Sequence, residues 1–456
     1  MGSVRCVAAL LGAGLLGLSG CASHDPSGSR ALGDPARRAG CEYQPEALAA
    51  ETLDPGTPVG SSIPIDHFVL IMHENRSFDH YYSELTVPGQ TVDGAPPTAT
   101  NPDPTTPGRT IARFHQTDYC FDDPSHGWDA AHIELDGNRM DGFTQANAEP
   151  IDPTGGRIMG YYDESDLPFY YALARTFSIS DRHFSSVPGP TWPNRLFYFA
   201  GTSFGLTHNV FPPTYAPDGH RYPNLLLRLN DANVSWKVYT DDLPTPAIFV
   251  QTYAENFQNF TSIDQFMADA AAGQLPAVTI LEGADSWGGD NRDEHPPADP
   301  QVGQNLTASV INALMHSPNW KRSALFITYD EDGGFYDHVV PPPACAPDSL
   351  VDPSDDEPSV QFTQYGFRVP FLAVSPYVKR GYVSHVVTDH TGILRFVEAR
   401  FNLPAMSIRD ANATAPFDMF DFDHPNFDIP DLPPAVIDPA KQAACEALYP
   451  RDMSEF

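Results

Sequence analysis

One hydroxyl in this sequence sits in unusual company. Thr191 lies within Ser186-Val187-Pro188-Gly189-Pro190-Thr191-Trp192-Pro193-Asn194-Arg195, where three prolines stiffen the backbone and a helical pattern follows over 196–200. A threonine at a helix start has two readings: it caps the helix with its side-chain oxygen, or it is a nucleophile facing an anion where backbone N–H groups point outward. Spacing leaves both open. Two acidic clusters offer the partners such a nucleophile needs. An apolar run over 65–72 leads into His73-Glu74-Asn75-Arg76-Ser77-Phe78-Asp79, and one over 324–329 leads into Asp330-Glu331-Asp332-Gly333-Gly334. Carboxylates and an amide oxygen at two strand ends can converge on one hard divalent cation, which prefers oxygen ligands. The paired glycines let the chain turn sharply behind them. Each cluster alone also reads as a helix cap or a solvated loop. Four of the 16 histidines, His126, His295, His338 and His390, lie in polar, loop-like contexts. Aimed at one pocket, they could protonate a leaving oxygen or neutralise phosphate, because histidine titrates nearest neutral pH.

The elements that must position these groups read as alternating strands and helices. Dense apolar runs rich in β-branched residues at 65–72, 177–179, 234–239, 277–281, 324–329 and 369–374 predict buried strands. Apolar residues at helical spacing over 306–315 and 393–401 predict helices between them. The alternation implies an α/β fold, a three-layer sandwich with a largely parallel central sheet. Ligands in such sheets collect at the carboxyl ends of the strands, where the two acidic clusters fall. Proline- and aspartate-rich stretches at 84–119, 143–160 and 340–360 predict long loops that serve as lids, pocket walls or insertions.

Composition narrows the function classes. The 456 residues are 41% hydrophobic, enough for a large core. A net charge of −33 excludes a phosphate-backbone reader, so no nucleic-acid partner is expected. A small anionic substrate remains compatible, since a metal ion reverses the sign inside a pocket. The start of the chain reads as an export signal: Arg5, an apolar run over 7–18 too short to span a bilayer, then Leu18-Ser19-Gly20-Cys21, which is similar to a bacterial lipoprotein box. This predicts three segments: a signal peptide at 1–21 with lipidation at Cys21, a Ser/Gly/Pro/Ala-rich tether at 22–60, and a single catalytic domain at 61–456. The protein would then be an exported lipoprotein, membrane-anchored and facing the periplasm or cell exterior. The remaining Cys41, Cys120, Cys345 and Cys445 suggest two disulfides, for which we expect Cys41–Cys445 and Cys120–Cys345.

Taken together, 74–79, 189–195 and 330–338 resemble the bacterial phosphoesterase family. That family holds the phosphatidylcholine-type phospholipases C and the acid phosphatase A enzymes, on a fold related to alkaline phosphatases and arylsulfatases. Further blocks follow in the family order: His126-Gly127-Trp128 with His132 and Met140-Asp141-Gly142-Phe143, His295-Pro296-Pro297, and Asp389-His390-Thr391. The resemblance runs from about residue 64 to about residue 404. It implies an alkaline phosphatase-like fold and one divalent metal ion, Ca, Mg, Mn or Zn, held by Glu74, Asn75, Asp330 and Glu331. Thr191 is then both ligand and nucleophile, with His126, His295 and His390 around the phosphoryl group and Asp337 and His338 behind them. The implied substrate is a small phosphate ester or a phospholipid headgroup. Two departures stand out: Trp192 replaces the histidine usual after the nucleophile, and Asp332 is more acidic than the residue relatives often carry. The short stretch after the last block favours a compact phosphatase over the larger phospholipases. A non-catalytic, surface-tethered binder of phosphorylated ligands is the competing reading.

Overall fold

A computed structural model describes residues 33–215, 219–283, 291–350 and 362–449. The expected signal peptide, Cys21 and the first part of the expected tether lie outside the described residues.

The core is an eight-stranded sheet. In chain order its strands are β1 (His67–His73), β2 (Ser178–Ser180), β3 (Trp236–Thr240), β4 (Phe260–Thr261), β5 (Val278–Glu282), β6 (Ser323–Tyr329), β7 (Phe371–Val374) and β8 (Tyr382–Ser384). Across the sheet the order is β8-β2-β7-β6-β1-β5-β3-β4. Every neighbouring pair is parallel except the two made by β7, which runs against both β6 and β2. β1 and β6 are buried along nearly their whole length, as strands covered on both faces must be.

Side-chain alternation along β1 shows the three layers. Phe68 packs edge-on against Phe396 and Phe401 at 5.8 Å, both on helix His390–Phe401. His73, of opposite parity, bonds Thr307 Oγ1 at 2.7 Å on helix Pro300–Met315. Helices therefore cover both faces. We number those of eight or more residues α1 (Trp128–Leu135), α2 (Pro168–Thr176), α3 (Thr191–Ala200), α4 (Ile263–Ala272), α5 (Pro300–Met315), α6 (His390–Phe401) and α7 (Pro439–Leu448). α3 packs on α6, while α2 and α4 pack on α5. Among the described residues no helix is long and apolar enough to cross a membrane.

Two expectations need correction. From residue 33 onward the expected 22–60 tether is folded onto the body. Helices form at Pro35–Ala39 and Ala49–Thr52, Ala49 and Leu53 enter the main core, and Tyr43 exchanges hydrogen bonds with the Asn412 side chain. The Ser/Gly/Pro/Ala-rich composition masked a few apolar anchors that are enough to dock it. The disulfides are Cys41–Cys345 and Cys120–Cys445, the reverse of the expected pairing. α7 brings Cys445 against the 117–122 loop, where Tyr449 donates to Asp122 Oδ1 at 2.9 Å. The Cys345 loop instead lies on the N-terminal segment, near the Arg38 carbonyl.

Candidate active site

The register sets the site. His73 pairs with Tyr329 and Ile71 with Leu281, so β6, β1 and β5 end side by side and in one direction. Three carboxylates follow from those ends: Asp330 just past β6, Glu74 just past β1, and Glu282 as the last residue of β5. A single guanidinium spans them. Arg195 reaches Asp330 Oδ2 with Nε at 3.0 Å, Glu74 Oε1 with Nη2 at 2.9 Å and Glu282 Oε1 with Nη1 at 3.2 Å. Burial opposes the charge of Arg195, but these three carboxylates outweigh it and raise its pKa. Sequence reasoning gave neither Arg195 nor Glu282 a role. The strand-end rule that found Glu74 and Asp330 applies equally to Glu282.

Thr191 lies four residues before Arg195, on the same face of α3. The N-cap of α3 is Pro190, whose side chain cannot cap the helix, and the Trp192 N–H is capped instead by Asn209 Oδ1 at 2.9 Å. The capping reading of Thr191 therefore falls, and its hydroxyl sits at the first helical position of a ten-residue helix, whose dipole favours an anion there. The turn before it is clamped by Asn194, whose amide donates to the Gly189 carbonyl at 2.8 Å and whose oxygen accepts from Val187 N at 3.0 Å. Gly189 lies so close to Trp128 that a Cβ there would meet the indole at 2.9 Å. The close approach holds the Thr191 turn against the loop of His126. One cavity is lined by Asp123, His126, Pro190, His208 and Asn209, among others.

The other acidic residues converge on the same place. Asp330 Oδ1 accepts from Asn75 N at 3.1 Å and Glu331 N at 2.8 Å. Asn75 adopts the left-handed conformation (φ 62°), which asparagine tolerates better than most residues. Gly333 (φ 66°) abuts it: a Cβ would stand 2.4 Å from the Asn75 carbonyl oxygen. Burial first, then the Asp332 and Asp330 carboxylates, pushes the Glu331 carboxyl well above its usual range. Asn75 Oδ1 and Glu331 Oε1 are both buried with no hydrogen-bond partner among the described residues. Two orphaned acceptors beside crowded carboxylates fit a cation, so the donor set is compatible with the metal that the sequence implies.

His126 and His295 face each other, their ring centroids 5.8 Å apart. His126 Nδ1 donates to the Pro124 carbonyl at 2.7 Å, and His295 Nδ1 to the Pro296 carbonyl at 2.5 Å. With Nδ1 so engaged, Nε2 of each ring faces the carboxylates. His126 Nε2 is 3.9 Å from Glu331 Oε1; His295 Nε2 is 4.0 Å from Glu74 Oε2 and 3.9 Å from Asp123 Oδ2. Asp123, absent from the sequence expectations, forms with the two histidines a second group able to hold a metal. Just before His295, Glu294 has a left-handed backbone (φ 75°), and its carboxylate accepts from Tyr81, Tyr170 and Tyr329 at 2.5–2.8 Å. Burial, against those three donors, raises its pKa to about 7.

His390 is fully buried: Nε2 donates to the Tyr329 carbonyl at 2.9 Å, and burial lowers its pKa. It therefore stays neutral beside the Asp330–Arg195 pair. Asp337 and His338 lie in a different network. Arg368 binds Asp337 Oδ1 and Asp79 Oδ1, each at 2.9 Å, and His338 Nδ1 is 2.6 Å from Asp79 Oδ2.

A phosphoesterase family model matches residues 65–404. Phospholipase C B of Mycobacterium tuberculosis is 32% identical over 83% of this chain and 84% of its own length. The chain belongs to the phosphoesterase family. Non-specific phospholipase C6 of Arabidopsis thaliana is 31% identical over 86% of this chain and 79% of its own. Non-hemolytic phospholipase C of Pseudomonas aeruginosa is 30% identical over 82% of this chain and 60% of its own. Among solved structures, human ectonucleotide pyrophosphatase / phosphodiesterase 5 aligns with a TM-score of 0.34 and 12% identity, over 53% of this chain and 91% of that one. That likeness is too distant to bear on the site. Family membership makes this protein a hydrolase of phosphoester bonds, built on a mixed α/β fold with a largely parallel sheet.

Proposed function

We propose that this phosphoesterase is a metal-dependent phospholipase C-type enzyme that cleaves phosphodiesters through a phosphothreonine at Thr191. The observation carrying the reading is Thr191 at the first position of α3, one turn from the arginine that binds Glu74 and Asp330. Relatives named phospholipases C weigh toward a diester substrate, against the compact phosphatase favoured by sequence length. Acid phosphatase activity is the second reading of the same residues.

In this mechanism Thr191 Oγ attacks phosphorus in line and the leaving alkoxide departs opposite. One of His126 and His295 takes the Thr191 hydroxyl proton while the other hands a proton to that alkoxide, and water then hydrolyses the ester on Thr191 to release the phosphorylated headgroup. The positive end of the α3 dipole favours the phosphoryl oxygens. Arg195 keeps Glu74 and Asp330 in place, and His390, neutral and pinned to Tyr329, supports Asp330 instead of supplying the proton. Glu74, Asn75, Asp330, Glu331 and Thr191 would hold a divalent ion, and their oxygen donors suit Ca, Mg or Mn. Bound there, it would withdraw charge from the threonine oxygen and lower its pKa.

Thr191→Val should abolish turnover with the fold intact, and mass spectrometry of wild type quenched during turnover of a phosphorylcholine ester should find phosphorylcholine on Thr191. Full activity in the variant would refute the nucleophile. Comparing p-nitrophenyl phosphorylcholine with p-nitrophenyl phosphate separates diester from monoester cleavage. No hydrolysis of either with Mg, Ca, Mn or Zn added would leave the non-catalytic binder. We also propose export and lipid anchoring at Cys21, a reading supported by two disulfides, which persist in oxidising compartments. Cys21→Ala should release the protein from the membrane fraction.

A further inference from the structure

The rim of the site is uncharged and apolar, in a chain that carries 59 acidic and 26 basic residues. Two segments form it, 209–215 (Asn-Val-Phe-Pro-Pro-Thr-Tyr) and 243–250 (Leu-Pro-Thr-Pro-Ala-Ile-Phe-Val), and neither contains Lys, Arg, Asp or Glu. They are one surface: Pro212, Pro213, Ile248 and Phe249 line a shared pocket, and Tyr215 donates to Gln251 Oε1 at 2.6 Å. Their large side chains point outward. Phe211 is 64% exposed, Leu243 70%, Val250 56% and Tyr215 50%. Clustered exposure of this kind marks an interaction surface.

The surface is continuous with the nucleophile. Trp192, next to Thr191, donates its backbone N–H to Asn209 Oδ1 at 2.9 Å and packs its ring edge-on against Phe211 at 5.2 Å. His208 and Asn209 line the same cavity as His126. Where relatives usually place a histidine after the nucleophile, this chain therefore has an apolar ring that ties the Thr191 turn to the exposed loop.

The charges next to the rim say what can cover it. Arg221 is neutralised by Glu255 at 2.7 Å and Asp241 by Arg292 at 3.0 Å, which leaves the Asp242 carboxylate next to Leu243. With both neighbouring arginines paired and the Asp242 carboxylate beside it, the rim offers an anionic membrane no attraction. An uncharged apolar rim matches a surface of no net charge, into whose interfacial layer aromatic and aliphatic tips can sink. We propose that 209–215 and 243–250 rest on a zwitterionic lipid surface, so that a lipid phosphoester reaches Thr191 from the aggregate. The proposal rests on the phospholipase reading above and names where its substrate is held.

The experiment uses full-length protein with Tyr215→Ser, Leu243→Ser and Val250→Ser combined, and leaves Phe211, which packs on Trp192, in place. Flotation with phosphatidylcholine vesicles should show binding at least about tenfold weaker than wild type, since even one partly buried apolar side chain is worth that much. Vesicle hydrolysis should fall in step, while turnover of soluble p-nitrophenyl phosphorylcholine stays unchanged. Vesicle binding equal to wild type overturns the proposal. So does an equal loss on both substrates, or a wild-type dimer in light scattering that the substitutions split, since the rim would then cover a second copy. A wild type that binds vesicles through the rim yet cleaves neither substrate sinks the phospholipase reading and leaves the docking surface standing.

Discussion

At the scale of single residues, Arg195 organises the site. Its three buried contacts neutralise carboxylates arriving from three strands, so removing it strands those charges. Arg195→Met in metal-free protein should lower the unfolding free energy by about 3–5 kcal/mol, the usual cost of breaking a buried pair from one side. Urea titration would measure it, and a loss under about 1 kcal/mol, the scale of a surface pair, would show that the carboxylates are not mutually repelling. Gly333 is the other critical position. Alanine there would be left-handed and would drive its Cβ into the Asn75 carbonyl, so Gly333→Ala should lose metal affinity and turnover together. Calorimetric titration with Mg or Mn against wild type would show it. Much of this arrangement is legible in the sequence: Glu74, Asn75, Asp330, Glu331, His126 and His295 are all brought together. What escapes a linear reading is chemistry that needs a third dimension. Arg195 reads as one more helical cation until three strand ends are laid side by side. Asp123 is only three residues from His126, yet nothing in its spacing says it faces His295.

At the scale of elements, long apolar runs are legible because burial on both faces leaves no other reading; β1 and β6 lie within two residues of expectation. Direction is not legible. A short apolar run says nothing of its polarity, so β7 reads like its neighbours although it runs against them. β4 and β8, two and three residues long, are too short to leave a pattern. The start of β1 carries a testable lock. Asp66, just before it, pairs with Arg322 ahead of β6 and with Arg400 of α6, the latter at 2.8 Å. The Arg322 hydrogen bond, outweighing desolvation, lowers the Asp66 pKa to about 2. An acid with a depressed folded pKa stabilises fully above its ordinary value of 3.8 and loses that contribution as pH falls toward 2. Asp66→Asn should therefore cost stability at pH 5–7, by under about 1 kcal/mol for so exposed a group. The difference from wild type should vanish near pH 2 in thermal melts, and a difference that held there would contradict the assignment.

At the scale of the molecule, the N-terminal residues whose composition suggests a tether and the C-terminal α7 are both stapled to the catalytic body. Each bond closes a loop of more than 300 residues, for which chain-entropy reasoning gives about 6 kcal/mol as an upper figure. Cys41→Ser with Cys345→Ser should lower the melting temperature by several degrees and leave catalysis near wild type. The Cys120→Ser, Cys445→Ser pair should also impair catalysis, because Cys120 leads directly into the loop of Asp123 and His126. Thermal melts and steady-state rates on the two double variants would separate these effects. The separations of 304 and 325 residues also set a timetable. The earlier thiol of each pair waits on the ribosome for a mate that emerges roughly 15–65 s later at ordinary rates of synthesis. Neither bolt can slide home before nearly all of the sheet has been made, so oxidation seals an architecture that the strands have already chosen.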